Sequence, residues 1–437
     1  MPGTAESFIL GLSMQPGTRE FDGIAYLDGR ASDPEALGWM RGTPPPEERR
    51  IRFEDDRFLD FPQRRWSLSH MRELLPTANV WRGPDAATEL GTTDAGLETA
   101  IDALRFVDMH GQPRTWSDAL TETYTDGVLV LHRGARIYER YFGALQPQRP
   151  HACFSITKSY AATIAATLIH EDVLEEKRPA AFYVPELAAT AYRDATLRQL
   201  LDMQIGVAYS ELYSDPKADI WNYARAGGVR PYGPGYQGPH SLYDFLLTLR
   251  KEGEHGRVFA YKTVNTEVLC WIIRRVTGIA LADLLSQRLW SHLGCEQDGY
   301  LTVDSIGVAL GGGGLNACLR DLARFGELMR REGDWYGKQL VPAAVVAAVR
   351  RGSDQAKFAT AGYALLPGYS YRDMWWVSHN ELGAFEARGI YGQRVYVAPR
   401  AGLVVARFSS HPIAANAAND PITLPAFCAL AQLLIRG

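Results

Sequence analysis

The sequence predicts an α/β (α+β) fold in which one antiparallel sheet draws strands from both chain ends, is flanked by helices and carries an inserted helical lobe. Three observations lead there. Two strand patterns joined by an Arg-Gly turn occupy 127–142, helical patterns dominate about 155–340, and short strand runs return after residue 370 ahead of a closing helix at about 421–435. Strands at both ends with helices between them share one sheet only if the ends meet. At 437 residues, 46% hydrophobic and 22% charged, the chain has the length for two cores or one large composite domain.

Taken in order, residues 1–65 read as an irregular extended arm, with Pro44-Pro45-Pro46 followed by a charged run from Glu47 to Asp60. The stretches 66–76 and 80–82 hold enough aromatic and apolar side chains to dock, and 97–104 carries a short helical pattern. The 127–142 hairpin then feeds a helix at 155–170. Further helices are expected at 196–202, 241–252, 264–277, 280–292 and 319–332, and strands at 371–377, 385–390, 393–397 and 403–408. The catalytic unit is therefore taken as 66–437, with a sheet lobe of about 66–154 and 341–437 and a helical lobe of about 155–340. No internal repeat is present.

The 155–170 helix carries the chemistry. It opens with Ser155-Ile156-Thr157-Lys158, and a three-residue spacing puts serine and lysine on one helical face. Pro150 upstream limits backward extension, so Ser155 falls at the first turn, where backbone N–H groups lack intrahelical partners and can face an oxyanion. A lysine near the positive end of a helix and partly desolvated has its ammonium form disfavoured, which lets it take a proton from a serine hydroxyl. The tetrad alone fits equally an N-cap serine beside a solvated lysine. Its context differs from that of Ser214-Asp215-Pro216-Lys217, which has the same spacing in a loop. After Lys158 come Ala161, Ile164, Ala165, Leu168 and Ile169, an apolar stripe that buries the helix.

Several function classes drop out. A net charge of -4 without a Lys/Arg-rich run leaves no footprint for nucleic acid or an anionic membrane surface. Gly233-Pro234-Gly235-Tyr236-Gln237-Gly238 fits a dinucleotide pattern, yet it contains proline, follows no strand and opens no helix. Gly311-Gly312-Gly313-Gly314 lacks the Lys-Ser/Thr of a phosphate loop and reads as a close backbone approach beside a pocket. Cysteines 153, 270, 295, 318 and 428 form no C-x-x-C pair, and no metal-ligand spacing is present. Neither a signal peptide nor a membrane span is read, so a cytoplasmic protein with reduced thiols, no cofactor and no metal is expected.

Five motifs in order carry a resemblance: Ser155-x-x-Lys158, Leu201-Asp202-Met203-Gln204, Tyr261 with Asn265-Thr266, Arg320-Asp321-Leu322-Ala323, and Gly389-Ile390-Tyr391-Gly392-Gln393. From about Trp66 to the C-terminus the chain resembles the serine beta-lactamase-like hydrolases, which include class C beta-lactamases, family VIII carboxylesterases and D-alanyl-D-alanine peptidases. Within them it is most similar to the nylon-oligomer (6-aminohexanoate-oligomer) hydrolase branch. The resemblance implies a beta-lactamase/transpeptidase-like fold, Ser155 as the acylated nucleophile and Lys158 as its base.

It also implies Tyr261 as general acid. Most members place that tyrosine two residues before the asparagine, where this chain has Thr263, whereas Tyr261 sits four before Asn265, as in the nylon-hydrolase branch. A phenol beside a cationic lysine is expected to have a lowered pKa. Gly389-Ile390-Tyr391-Gly392 replaces the usual Lys-Thr-Gly, so recognition of a beta-lactam carboxylate is not implied, while the backbone N–H groups of Ser155 and Ile390 can form an oxyanion hole. Tyr213, Asn265, Gly312, Trp376, Gly389 and Tyr391 are the implied substrate-binding positions. Where the nylon branch has an acid for the substrate's amino end this chain has Ala224, with Asp219 or Glu211 as the alternative source of that charge.

The function expected is cleavage of a small linear amide or ester through an acyl-enzyme, in a protein that binds no partner beyond that small molecule except a second copy in a homodimer. A carboxylesterase or weak beta-lactamase is the rival enzyme reading, and a penicillin-binding-like scaffold the non-enzymatic one.

Overall fold

Strands from the two ends of the chain meet in the computed structural model, which describes residues 17–92 and 95–436. β1 (Thr125–His132) and β2 (Ala135–Tyr141) form a hairpin whose turn residues Arg133 and Gly134 have φ of 52° and 88°, a twist that matches paired strands. β3 (Ser370–Arg372), β4 (Trp375–Val377), β5 (Phe385–Gly389), β6 (Gln393–Ala398) and β7 (Leu403–Ser409) come from the other end. The seven-stranded sheet runs β3-β4-β5-β6-β7-β1-β2, every neighbour antiparallel.

At the seam, Val404 pairs with Leu131 and Val405 with Val130. Successive side chains therefore point to opposite faces. Leu129, Leu131, Val395 and Val404 join one core, while Val128, Val130, Tyr396 and Val405 join another. A sheet buried on both faces needs near-continuous apolar strands, and β1 and β7 have them.

Five helices place the site: α1 (Ile156–His170), α2 (Asp219–Ala226), α3 (Val264–Thr277), α4 (Leu319–Arg330) and α5 (Asp420–Arg436). α4 lies on one face of the sheet and makes its closest approach at Gly326, where a Cβ would fall 2.6 Å from Val404 Cγ1 and 2.8 Å from Val395 Cγ1. On the opposite face α5 sets Phe427 against Tyr396, ring centroids 5.3 Å apart. α1 is buried from Ile156 through Leu168, so it is the spine of the helical lobe and more than the one-sided stripe its sequence suggests. Tyr160 stacks on Phe325 at 3.6 Å and locks α1 to α4.

Four features depart from expectation. The segment at 371–377 is a hairpin, because Asp373 and Met374 take φ of 48° and 58° and reverse the chain. The helix expected at 241–252 spans Leu242–Thr248. Thr77–Val80, Gly299–Thr302, Leu315–Ala317 and His151–Ala152 build a second, four-stranded sheet from runs too short for an alternation to show. The stretch read as an irregular arm is folded from residue 17 onward. It has a hairpin of Thr18–Phe21 and Ile24–Leu27, and it buries Ile51 and Phe58; residues 1–16 lie outside the described part. Among the described residues no helix is long and apolar enough to cross a membrane.

Candidate active site

Ser155 is set by what precedes it. His151–Ala152 is a strand of the small sheet, the Ala152 N–H donates to Leu68 and the Cys153 N–H to Leu315, so the segment is held from two sides. Phe154 then turns the chain with φ of 45°, a conformation costly for a non-glycine residue and concentrated at functional sites. Ser155 follows with φ of -65° at the N-cap of α1, and its hydroxyl does not cap the helix. It instead accepts a hydrogen bond from Lys158 Nζ at 2.7 Å.

Lys158 is 1% exposed and also donates to the Gly312 carbonyl at 2.5 Å. Burial pulls its pKa down to about 8, against the opposing pull of the Glu211 and Glu267 carboxylates. A free-base fraction is therefore present near neutral pH. The ammonium lies 5.1 Å from the Tyr261 ring centroid, and Tyr261 is flanked by Trp376 at 5.5 Å and Tyr371 at 6.0 Å. The lowered phenol pKa expected for Tyr261 is corrected. Burial first and the Glu211 charge second push it well above the usual value, although a hydrogen bond with Ser155 acts in the other direction. The phenol keeps its proton across the working range.

Two cavities flank Ser155. An outer cleft of about 370 Å³ is lined by Glu211, Tyr213, Tyr261, Tyr363, Trp376 and Arg388. An inner chamber of about 100 Å³ is largely apolar, with Leu59, Met71, Trp221, Ala224, Leu310 and Tyr391 in its wall. Tyr213 and Ile390 border both.

Most expected binding positions reach these walls. Trp376 and Gly389 line the outer cleft, Gly312 and Tyr391 the inner chamber. Gly389 is glycine because a Cβ would lie 2.6 Å from the Cys153 carbonyl oxygen, which brings the end of β5 against the serine segment. Tyr391, at φ of 63°, sits under the Arg64 guanidinium at 3.9 Å.

Asn265 is the exception and is corrected. It is fully buried on α3, accepts from the Tyr192 hydroxyl at 2.9 Å and donates to Met203 Sδ at 3.4 Å, so it faces the helical core and not the cleft. Ser214 and Lys217 lie exposed in a surface turn. Asp219 accepts from the Ser210 N–H, while Glu211 borders the outer cleft and accepts from both the Thr263 N–H and hydroxyl at 2.6 Å. Sequence reasoning missed Arg388, Tyr363 and Glu267, for which no local pattern exists.

A half-buried serine bonded to a buried lysine at a helix N-terminus, beside a protonated tyrosine and an open cleft, is the arrangement of a serine hydrolase. Residues 117–424 match the model of the beta-lactamase family, and the chain belongs to that family. It is 36% identical over 361 residues to the 6-aminohexanoate-dimer hydrolase of Paenarthrobacter ureafaciens, covering 82% of this chain and 88% of that one. A solved structure described as "Putative 6-aminohexanoate-dimer hydrolase from Bacillus anthracis" superposes with a TM-score of 0.81 at 31% identity, over 90% of this chain and 99% of that one. EstCE1, a hydrolase with promiscuous acyltransferase activity, shares the fold at a TM-score of 0.57 and 14% identity, over 77% of this chain and 98% of that one.

Proposed function

We propose that this hydrolase cleaves small linear amides or esters with Ser155 as nucleophile and Lys158 as its base. The 2.7 Å contact between the buried Lys158 Nζ and Ser155 Oγ, which opens onto the cleft, carries the reading. Neutral Lys158 accepts the Ser155 proton as Oγ attacks the carbonyl carbon. The negative charge that develops on the carbonyl oxygen is met by the backbone N–H groups of Ser155 and Ile390. Tyr261 donates its proton to the departing amine or alkoxide and recovers one from the Lys158 ammonium. Water then enters and the same groups run in reverse to release the acid. Five free thiols, four of them buried, support a cytoplasmic setting.

The test is covalent and kinetic. A fluorophosphonate probe should label the Ser155 peptide, and a panel of p-nitrophenyl esters, linear ω-amino-acid amides, D-amino-acid amides and nitrocefin should show turnover on the first two classes. An unlabelled Ser155 would remove the nucleophile, and preferential nitrocefin hydrolysis would favour the beta-lactamase reading.

Ala224 refines the substrate. It is buried on α2 in the wall of the inner chamber, where a methyl cannot receive an ammonium group. A hydrogen bond to a charged group contributes about 1.5–3 kcal/mol. Wild type should therefore favour neutral short-acyl substrates, and Ala224→Asp should raise kcat/KM on the 6-aminohexanoate dimer by ~10–100-fold. Efficient wild-type cleavage of the dimer, unchanged by the new carboxylate, would move the amine site to Glu211 in the outer cleft.

A further inference from the structure

Beyond the Gly312 carbonyl that accepts from Lys158, the glycine run at 311–314 has no role assigned above, yet a buried carboxylate is pressed against its first half. Glu267, on α3 and 3% exposed, accepts from the Gly311 N–H at 3.0 Å, the Gly312 N–H at 2.8 Å and the Tyr223 hydroxyl at 2.6 Å. Burial pushes the Glu267 pKa up, and the three donors with the nearby Lys158 ammonium oppose that shift; three donors converging on one carboxyl group match its ionised form, which can only accept. The approach is too close for side chains on the loop. A Cβ on Gly312 would fall 2.4 Å from Thr263 Cγ2 and 2.8 Å from Glu267 Oε1, and one on Gly311 would fall 2.1 Å from Cys270 Sγ. The residue whose N–H Glu267 holds, Gly312, presents its carbonyl to Lys158 Nζ at 2.5 Å.

Resting on the reading that Lys158 deprotonates Ser155, we infer that Glu267 is a positioning residue for the reaction, clamping the Gly311–Gly312 backbone so that the Gly312 carbonyl aims the Lys158 amine at Ser155. Glu267 does not line the outer cleft or the inner chamber. Its effect should therefore fall on kcat and not on KM. It also acts through charge. The groups around Lys158 are Ser155 on its own helix, Tyr261, Glu211 from the loop before α2, and Glu267 and Cys270 from α3; of these the two carboxylates hold its pKa up against burial.

Two variants separate positioning from simple structural support. Glu267→Gln offers an amide where carboxylate oxygens met N–H groups, so kcat should fall on the order of 10–100-fold, the loss of a charged hydrogen bond. KM on a p-nitrophenyl ester should stay unchanged. Because catalysis needs neutral Lys158, kcat/KM rises with pH through the lysine's pKa. Removing a negative charge lowers that pKa, so the acid limb should move to lower pH. Glu267→Asp keeps the charge but is one methylene too short to reach both N–H groups, so kcat should fall while the limb stays near its wild-type position.

An unchanged kcat in either variant, or a kcat loss in Glu267→Gln with an unmoved limb, would overturn the inference. If Glu267→Gln fails to fold, Glu267→Asp decides alone: a kcat loss at constant KM with the limb unmoved supports it, and any other result refutes it. Fluorophosphonate labelling of wild-type Ser155 reports separately on the nucleophile assignment, whose failure would leave the wild type unlabelled.

Discussion

Lys158 is the residue on which the rest of the site depends, since its amine touches the serine, the glycine loop and the field of two carboxylates at once. With its pKa near 8, kcat/KM should climb as pH rises through that value, the reverse of what a catalytic carboxylic acid would give. Ser155→Ala and Lys158→Ala should each cost several orders of magnitude, and the double variant little more, because the two act as one unit. Losses that multiply would refute the coupling. Tyr261→Phe keeps the ring and removes the proton, so its loss should be larger on amides than on p-nitrophenyl esters, whose leaving group needs little protonation. Equal losses on both would place the acid elsewhere.

The pair was legible in sequence because helical geometry sets a three-residue spacing on one face, and the apolar stripe after Lys158 together with the order of five motifs separated it from Ser214 and Lys217. Asn265 was misplaced for the complementary reason. A position inside a helix does not say which face turns to the pocket, and at 265 the tertiary packing turned it toward Tyr192.

At the scale of elements, α3 was legible to the residue at 264–277, since its apolar periodicity ends at Gly278, whose φ of 70° caps the helix. The hairpin inside 371–377 was hidden because Asp373-Met374 contains neither the glycine nor the asparagine that usually signals such a turn. α4 offers a test of how packing outweighs propensity. Gly326→Ala gains about 1 kcal/mol of helix propensity. The added methyl would meet two valine methyls of the sheet at under 3 Å, and overpacking of this kind costs about 1–3 kcal/mol. With both contacts so short the cost should win, and urea unfolding should show a lower midpoint with an unchanged slope. A raised midpoint would mean that α4 can lift off β6 and β7 freely.

Over the whole molecule, the closing helix is tied to the sheet by charge as well as by apolar contact. Arg394 on β6 binds Glu386 on β5 at 2.6 Å and Asp420 at the start of α5 at 2.7 Å, and Arg388 contacts the same two acids, all four side chains being buried. Burial pushes the Asp420 carboxyl up, but Arg388 and Arg394 outweigh it and hold the group below its usual range. Its contribution to stability is thus complete above the unfolded carboxylate value, about 3.9, and is lost as pH falls through the lower folded value. Asp420→Asn leaves two buried arginines short of a counter-charge and should cost about 3–5 kcal/mol. The gap between variant and wild type should narrow in strong acid, where wild-type Asp420 is protonated too, and a variant as stable as wild type at pH 7 would show the network to be dispensable. None of this was legible in sequence, because the partners lie on three separate elements and no local pattern links them.

The pairing of β7 with β1 also sets an order of events in time. Residues near 130 leave the ribosome long before residues near 404, and until the later strand arrives β1 has only the β2 edge to satisfy it. The nascent chain must therefore hold a long, apolar, half-paired strand until residues 403–409 have been made, which is the state that chaperones recognise and that slows folding of non-local topologies. The same delay keeps Ile390 away from Ser155, so the two cavities that both residues border cannot close until the later strands have been made.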